Sequence, residues 1–166
     1  MRSFILAIDP GTEQSGVVMF DRENPDDPIW HKAVMDNDDL IKYILSYGDR
    51  IEHLAIEQIR SYGMAIGAST LDTVEWSGRF IQCFIYATHY DDNIMRLPRL
   101  EIKVHLCGTA KAKDANIRQA LIDRLGHPGT KKNPGPTYGI SSHMWSALAV
   151  AVVAADKVSG KERGQA

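Results

Sequence analysis

Three side chains in this sequence have the type and placement to do chemistry together: Asp9, Glu57 and His143. Asp9 follows the apolar run Phe4 to Ile8 and is stopped at once by Pro10-Gly11. That run has the length of a buried strand, and the Pro-Gly pair is a turn signal, so Asp9 is expected at the carboxyl end of a strand. Ligands and metals bind at that end of α/β sheets. Taken alone, the Asp-Pro-Gly sequence equally fits an aspartate that caps a turn. Glu57 repeats the pattern, since Leu54-Ala55-Ile56 is short, buried in character and leads directly into a carboxylate. His143 falls in the first turn of the last expected helix. Carboxylates clustered at strand ends make a hard, oxygen-rich site suited to Mg²⁺ or Mn²⁺. Two such ions can activate a water and stabilise the leaving oxygen in phosphodiester hydrolysis. A histidine beside them can ligate a metal or act as a general base, although a histidine at a helix start is more often a cap or a packed residue.

The elements needed to position these groups can be read along the chain. Phe4 to Ile8 and Gly16 to Phe20 flank a turn-rich loop and form an antiparallel hairpin, and Ile29 to Val34 extends it to a meander. Asp36 or Asn37 caps a helix whose apolar residues are Leu40, Ile41, Ile44 and Leu45. After the strand that ends at Glu57, the glycines of Ile59 to Gly67 indicate a mobile loop. Ser69 to His89 is helical, with a broad apolar face comprising Leu71, Val74, Phe80, Ile81, Phe84, Ile85 and Ala87. Such a face suits either a fully internal helix or one that also buries a partner subunit. Ile94 to Leu97 and Leu100 to Leu106 read as strand interrupted at Pro98-Arg99. Asp114 to Leu125 is an amphipathic helix, and Ser141 or Ser142 caps a last helix. Between them, His127 to Gly139 is rich in Pro and Gly and has no packing motive, so it is expected to be disordered or to fold onto a ligand. The expected fold is α/β: a mixed five-stranded sheet, antiparallel meander then parallel strands, flanked by helices. A single domain over 1–158 and a frayed tail over 159–166 are expected.

A length of 166 residues suffices for one substantial core. No apolar run is long enough to span a bilayer, and no cleavable signal pattern opens the sequence. Cys83 and Cys107 lie in no metal-ligand spacing and are too few for a disulfide framework, so a cytoplasmic location is expected. The net charge of −2 argues by itself against a nucleic-acid binder. Its distribution argues the other way. The acidic residues crowd the beginning of the chain, whereas the stretch 96–132 carries Arg96, Arg99, Lys103, Lys111, Lys113, Arg118, Arg124, Lys131 and Lys132 against Glu101, Asp114 and Asp123. That asymmetry suits one basic face for a polyanion, or a solvated helix with basic loops.

Four segments then coincide in order and separation: Ala7-Ile8-Asp9-Pro10-Gly11, Ala55-Ile56-Glu57-Gln58, Lys103 followed by Gly108 and a helix, and His143-Met144-Trp145-Ser146-Ala147-Leu148-Ala149. On these the chain, from about residue 4 to 154, resembles the RuvC family of Holliday-junction resolvases in the RNase H-like superfamily, particularly its phage-type members. The resemblance implies a metal-dependent endonuclease that cuts branched DNA, with Mg²⁺ or Mn²⁺ as cofactor. It assigns metal-binding positions to Asp9, Glu57 and His143. The fourth family position, an aspartate three residues after His143, is Ser146 here. Serine is neutral and a weaker ligand, but at this spacing it still shares the helix face of His143. Asp156 lies too far along the helix to replace the missing carboxylate. The departure leaves open a junction-binding protein with weak or no catalysis.

The resemblance further implies a homodimer through the helix around 69–89, and a loop after Glu57 that stacks on bases, for which Tyr62 and Met64 are the candidates. Lys103 matches a family lysine, and Lys111, Lys113, Lys131 and Lys132 are candidate phosphate contacts on charge. An ATPase of the actin and hexokinase kind also opens on Asp-x-Gly-Thr, but the chain is too short for its two domains. A ribosomal-RNA-processing nuclease of related fold differs only in substrate.

Overall fold

The computed structural model describes residues 4–164. Strand β1 (Phe4–Asp9) pairs antiparallel with β2 (Gln14–Asp21), which pairs antiparallel with β3 (Ile29–Asp36). Helix α1 (Asn37–Tyr47) and a short 3₁₀ turn lead into β4 (Ile51–Gln58), which runs parallel to β1. Helix α2 (Ala68–Thr88) crosses to β5 (Ile94–Pro98), parallel to β4. Helices α3 (Arg99–Cys107), α4 (Asp114–Leu125) and α5 (His143–Gly164) follow. The five strands lie in the order β3-β2-β1-β4-β5, the mixed sheet expected from the sequence.

Strand β1 is continuously apolar because it is central and buried on both faces. Alternate side chains go to opposite sides. Ile5 and Ala7 join Val18, Ala55, Leu148 and Val152 beneath α5, whereas Leu6 and Ile8 join Met19, Ile56, Leu40, Ile44, Phe80 and Phe84 beneath α1 and α2. The result is a helix–sheet–helix sandwich. Helix α5 is apolar nearly all round over Ala147 to Ala154 because it is enclosed by the sheet, α3 and α4. Its backbone stays helical through Gly164, and residues 165 and 166 of the expected tail lie outside the described residues.

Two expectations are corrected. Leu100 to Leu106 is helix, not strand. The alternation of Leu100, Ile102, Val104 and Leu106 mimics a strand, but only Ile102 and Leu106 face the core, one helical turn apart, while Leu100 and Val104 face outward. Pro98 pairs at the end of β5 and cannot continue as a donor, and the chain turns into α3 at Arg99. The stretch from His127 to Gly139 is also not structureless. It folds on itself through the Gly129–Pro134 bridge and the Gly135 N–H donating to the Pro128 carbonyl at 2.8 Å. It is moored to the body by the buried Thr137, whose hydroxyl donates to the Gly126 carbonyl at 2.7 Å.

Candidate active site

The site is assembled at the carboxyl ends of two neighbouring parallel strands. Ile8 pairs with Ile56, so the residues that follow them, Asp9 and Glu57, emerge side by side at the same edge of the sheet. The third group arrives through a close approach. Gly16 lies opposite Asp9 in the β1–β2 register, and a Cβ there would come within 2.3 Å of the His143 carbonyl oxygen. The absence of a side chain at Gly16 lets the first turn of α5 descend onto the hairpin. His143 Nδ1 then lies 2.9 Å from Asp9 Oδ2.

The loop after Asp9 is rigidly braced. The Gly11 N–H donates to Ser15 Oγ at 3.2 Å, and Ser15 Oγ donates to Asn37 Oδ1 at 2.7 Å. Asn37 Nδ2 returns to the Gly11 carbonyl at 3.0 Å. Both Ser15 and Asn37 are buried, so their mutual pairing satisfies groups that would otherwise be costly. Gly11 admits no side chain, since a Cβ would meet the Gln14 carbonyl oxygen at 2.1 Å. In sequence Asn37 is one of two possible caps for α1; the structure makes it the strut of the site loop, a role visible only once β2 and α1 are placed.

The two carboxylates are held in a strained electrostatic state. Burial pushes the Glu57 carboxyl up to about 7, the nearby Asp9 charge adds to the shift, and Arg99 opposes it. Burial also raises Asp9, against the lowering pull of His143 and Arg99. Asp9, Glu57 and His143 line one cavity of about 520 Å³ together with Gly11, Thr70 and Thr73. Two desolvated carboxylates, one of which is raised further by the charge of the other, favour a shared divalent cation, and that donor set fits one hard ion with water completing its shell. His143 directs its Nδ1 at Asp9. Among the described residues no group of three or more His, Cys, Asp or Glu side chains converges as a ready-made ligand cluster.

Ser146 faces the same region, as its spacing implies: it hydrogen-bonds Asp9, and it is also reached by a residue that in sequence belongs only to the basic stretch. Arg99, the first residue of α3, donates from Nη1 to Glu57 Oε2 at 3.3 Å and to Ser146 Oγ at 3.4 Å. Its Nη2 donates to Asp114 at the start of α4. The available signal was the Pro98-Arg99 break, which places a guanidinium next to a strand end.

The candidate DNA contacts are dispersed. Tyr62 and Met64 are strongly exposed in the loop after β4, at 67% and 79%. Tyr62 shares a groove with Arg60, Leu100 and Val104. Lys103 is half-buried on α3, Lys111 and Lys113 are exposed before α4, and Lys131 and Lys132 are exposed in the self-bridged loop. On α2, Phe80 and Phe84 are buried while Leu71, Val74 and Tyr86 are exposed, so the helix is not fully internal. No helix among the described residues is long and apolar enough to cross a membrane.

No protein-family model matches the sequence, and no curated protein matches it. Solved structures do match its fold. T. thermophilus RuvC in complex with a Holliday junction substrate superposes with a TM-score of 0.65 at 18% identity, covering 90% of each chain. A second Thermus thermophilus RuvC structure gives 0.61 at 18% identity, covering 94% of this chain and 96% of the other. The mixed five-stranded sheet with its flanking helices is therefore the RNase H-like fold of RuvC.

Proposed function

We propose that this chain is a metal-dependent, structure-selective endonuclease that hydrolyses phosphodiesters in Holliday junctions and other branched DNA. The observation that carries the proposal is the adjacency of Asp9 and Glu57 at the ends of parallel strands, both with raised proton affinity and with His143 bonded to one of them. It occurs on the fold of a protein solved in complex with a Holliday junction substrate. Asp9 and Glu57 would hold Mg²⁺ or Mn²⁺, which when bound supplies charge stabilisation and an activated water. The protein's own groups do the positioning. The Ser15–Asn37 brace fixes the loop beside Asp9, and His143 orients the Asp9 carboxylate through Nδ1. The exposed imidazole is placed to pass a proton to solvent.

The same reading assigns Tyr62 and Met64 to base stacking and Lys103, Lys111, Lys113, Lys131 and Lys132 to phosphate contacts. It makes the exposed Leu71, Val74 and Tyr86 of α2 part of a homodimer interface that pairs two cutting centres on one junction. It places the protein in the cytoplasm, with the divergence of its motifs favouring a phage-type enzyme. A second reading, junction binding with little catalysis, is favoured by one observation: a neutral Ser146 beside Arg99, where the family has a carboxylate.

The test is a synthetic four-way junction and a linear duplex of the same sequence, each incubated with purified protein and Mg²⁺ or Mn²⁺. Selective nicking of the junction is expected, and a bound but uncut junction would leave the second reading standing. Junction affinity should fall by about 10³-fold or more between 50 and 200 mM salt if the basic residues track phosphates. A flat salt response would remove them from the interface.

A further inference from the structure

Arg99 stands between two clefts. One holds Asp9, Glu57 and His143, and the other is lined by Arg99, Asp114, Arg118, Ser142, Trp145 and Ser146. From its position after the last residue of β5, Arg99 reaches across the strand ends to Glu57 and Ser146 with the same nitrogen, at 3.3 and 3.4 Å. A guanidinium cannot be deprotonated in a protein and accepts no hydrogen bond, so it is a permanent cation at this place. A divalent ion seated between Glu57 and residue 146 would meet that charge at contact distance. Ser146 offers it no compensating carboxylate. The residues here therefore fit one ion at Asp9 and Glu57 and do not fit a second beside Ser146.

We infer that Arg99 takes the electrostatic place of a second cation, so that each active centre binds a single divalent ion and completes its positive charge with the guanidinium. The inference rests on the reading of Asp9 and Glu57 as a metal site. The placement of the guanidinium supports it: Arg99 is bonded to Glu57 and Ser146 on one side and to Asp114 on the other, so the position beside residue 146 already holds a positive charge. Neutral Ser146 is then consistent with its neighbour, because the charge that an aspartate would balance in a second ion is absent. Asp114 orients the guanidinium from the opposite side, through the other terminal nitrogen. In this arrangement Arg99 is a charge-positioning residue. It holds the Glu57 carboxylate for the ion and presents a fixed donor where negative charge grows on the phosphoryl oxygens.

The experiment counts ions. Mn²⁺ binding to the full chain, measured by calorimetry and by the paramagnetic resonance of free Mn²⁺, is expected to saturate at one ion per chain. Asp9→Asn should bind none. The double variant Arg99→Ala/Ser146→Asp should take up a second ion, and Arg99→Lys, which keeps the charge, should remain at one. Thermal melts of each variant establish that it is folded before the ions are counted. Two ions of similar affinity on the wild-type chain would overturn the Arg99 inference while leaving the metal-site reading intact. No Mn²⁺ binding at millimolar concentration would overturn both. In junction cleavage, Arg99→Ala should lose about 10²-fold in rate. Its Mn²⁺ dependence should turn from hyperbolic to sigmoidal when Ser146→Asp is added.

Discussion

Helix α5 carries a charged cluster at each end of its described part, and the two are built on opposite terms. Toward its C-terminal end, Asp156 accepts from Arg124 Nη1 at 2.7 Å and lies 2.7 Å from His105 Nε2. Burial alone would raise the Asp156 carboxyl, but Arg124 and His105 more than offset it and hold it below the ordinary range. At the other end, burial wins: Asp9 and Glu57 are both raised, although His143 and Arg99 lie against them. One cluster is compensated and fastens α3 and α4 to α5. The other keeps unspent electrostatic free energy that a cation can release. Helix α3 connects the two, with Arg99 in its first turn and His105 in its last.

After Asp9→Asn, the largest effect should come from Glu57→Gln, which separates function from stability. Cleavage should fall by about 10³-fold, equivalent to roughly 4 kcal/mol in the barrier. The metal-free variant should nonetheless be the more stable protein at pH 8. The folded wild type keeps a proton on Glu57 that the unfolded chain has lost between pH 4.5 and about 7, so its stability falls as pH rises through that window. Thermal melts in chelator should show the variant gaining on the wild type from pH 5 to 8, by on the order of 2 kcal/mol. A constant difference would mean that the two ends of α5 do not differ as described.

Next in size is Ile102→Ala, which empties a fully buried position under α3 and should cost about 2–4 kcal/mol in chemical denaturation. It loosens both clusters at once. Asp156→Asn should cost about 1 kcal/mol, seen as a lower denaturation midpoint, and leave the cleavage rate within a factor of two or so. Loss of cutting in that variant would erase the division of labour. Val104→Ala, on the exposed side of the same helix, should stay within about 0.5 kcal/mol.

The sequence shows the carboxylates plainly because each ends an apolar strand and one is followed by Pro-Gly, a local signal that survives without tertiary information. His143 is legible for a similar reason, being at a helix start. Arg99 is not, since Leu100 to Leu106 alternates like a strand, and its helical periodicity rests on only Ile102 and Leu106. Reading that segment as strand hides the turn that swings the guanidinium to Glu57. The Ser15–Asn37 brace and the Gly16 contact with His143 join residues far apart in the chain, and no local pattern announces them. The order of loop 127–139 is not legible in the sequence, because it comes from hydrogen bonds among its own backbone groups and from one buried threonine, which hydrophobic periodicity does not register.

The central claim is that the Asp9–Glu57 pair makes this fold a junction-cutting enzyme. Its most direct test is Asp9→Asn beside the wild type, with binding and cleavage of one labelled four-way junction read from the same Mn²⁺-containing samples. The account predicts that the wild type nicks the junction, and that the variant binds it within about threefold of the wild-type affinity without measurable cutting, because phosphate contacts rather than this carboxylate supply affinity. Cutting by Asp9→Asn at the wild-type rate would contradict it.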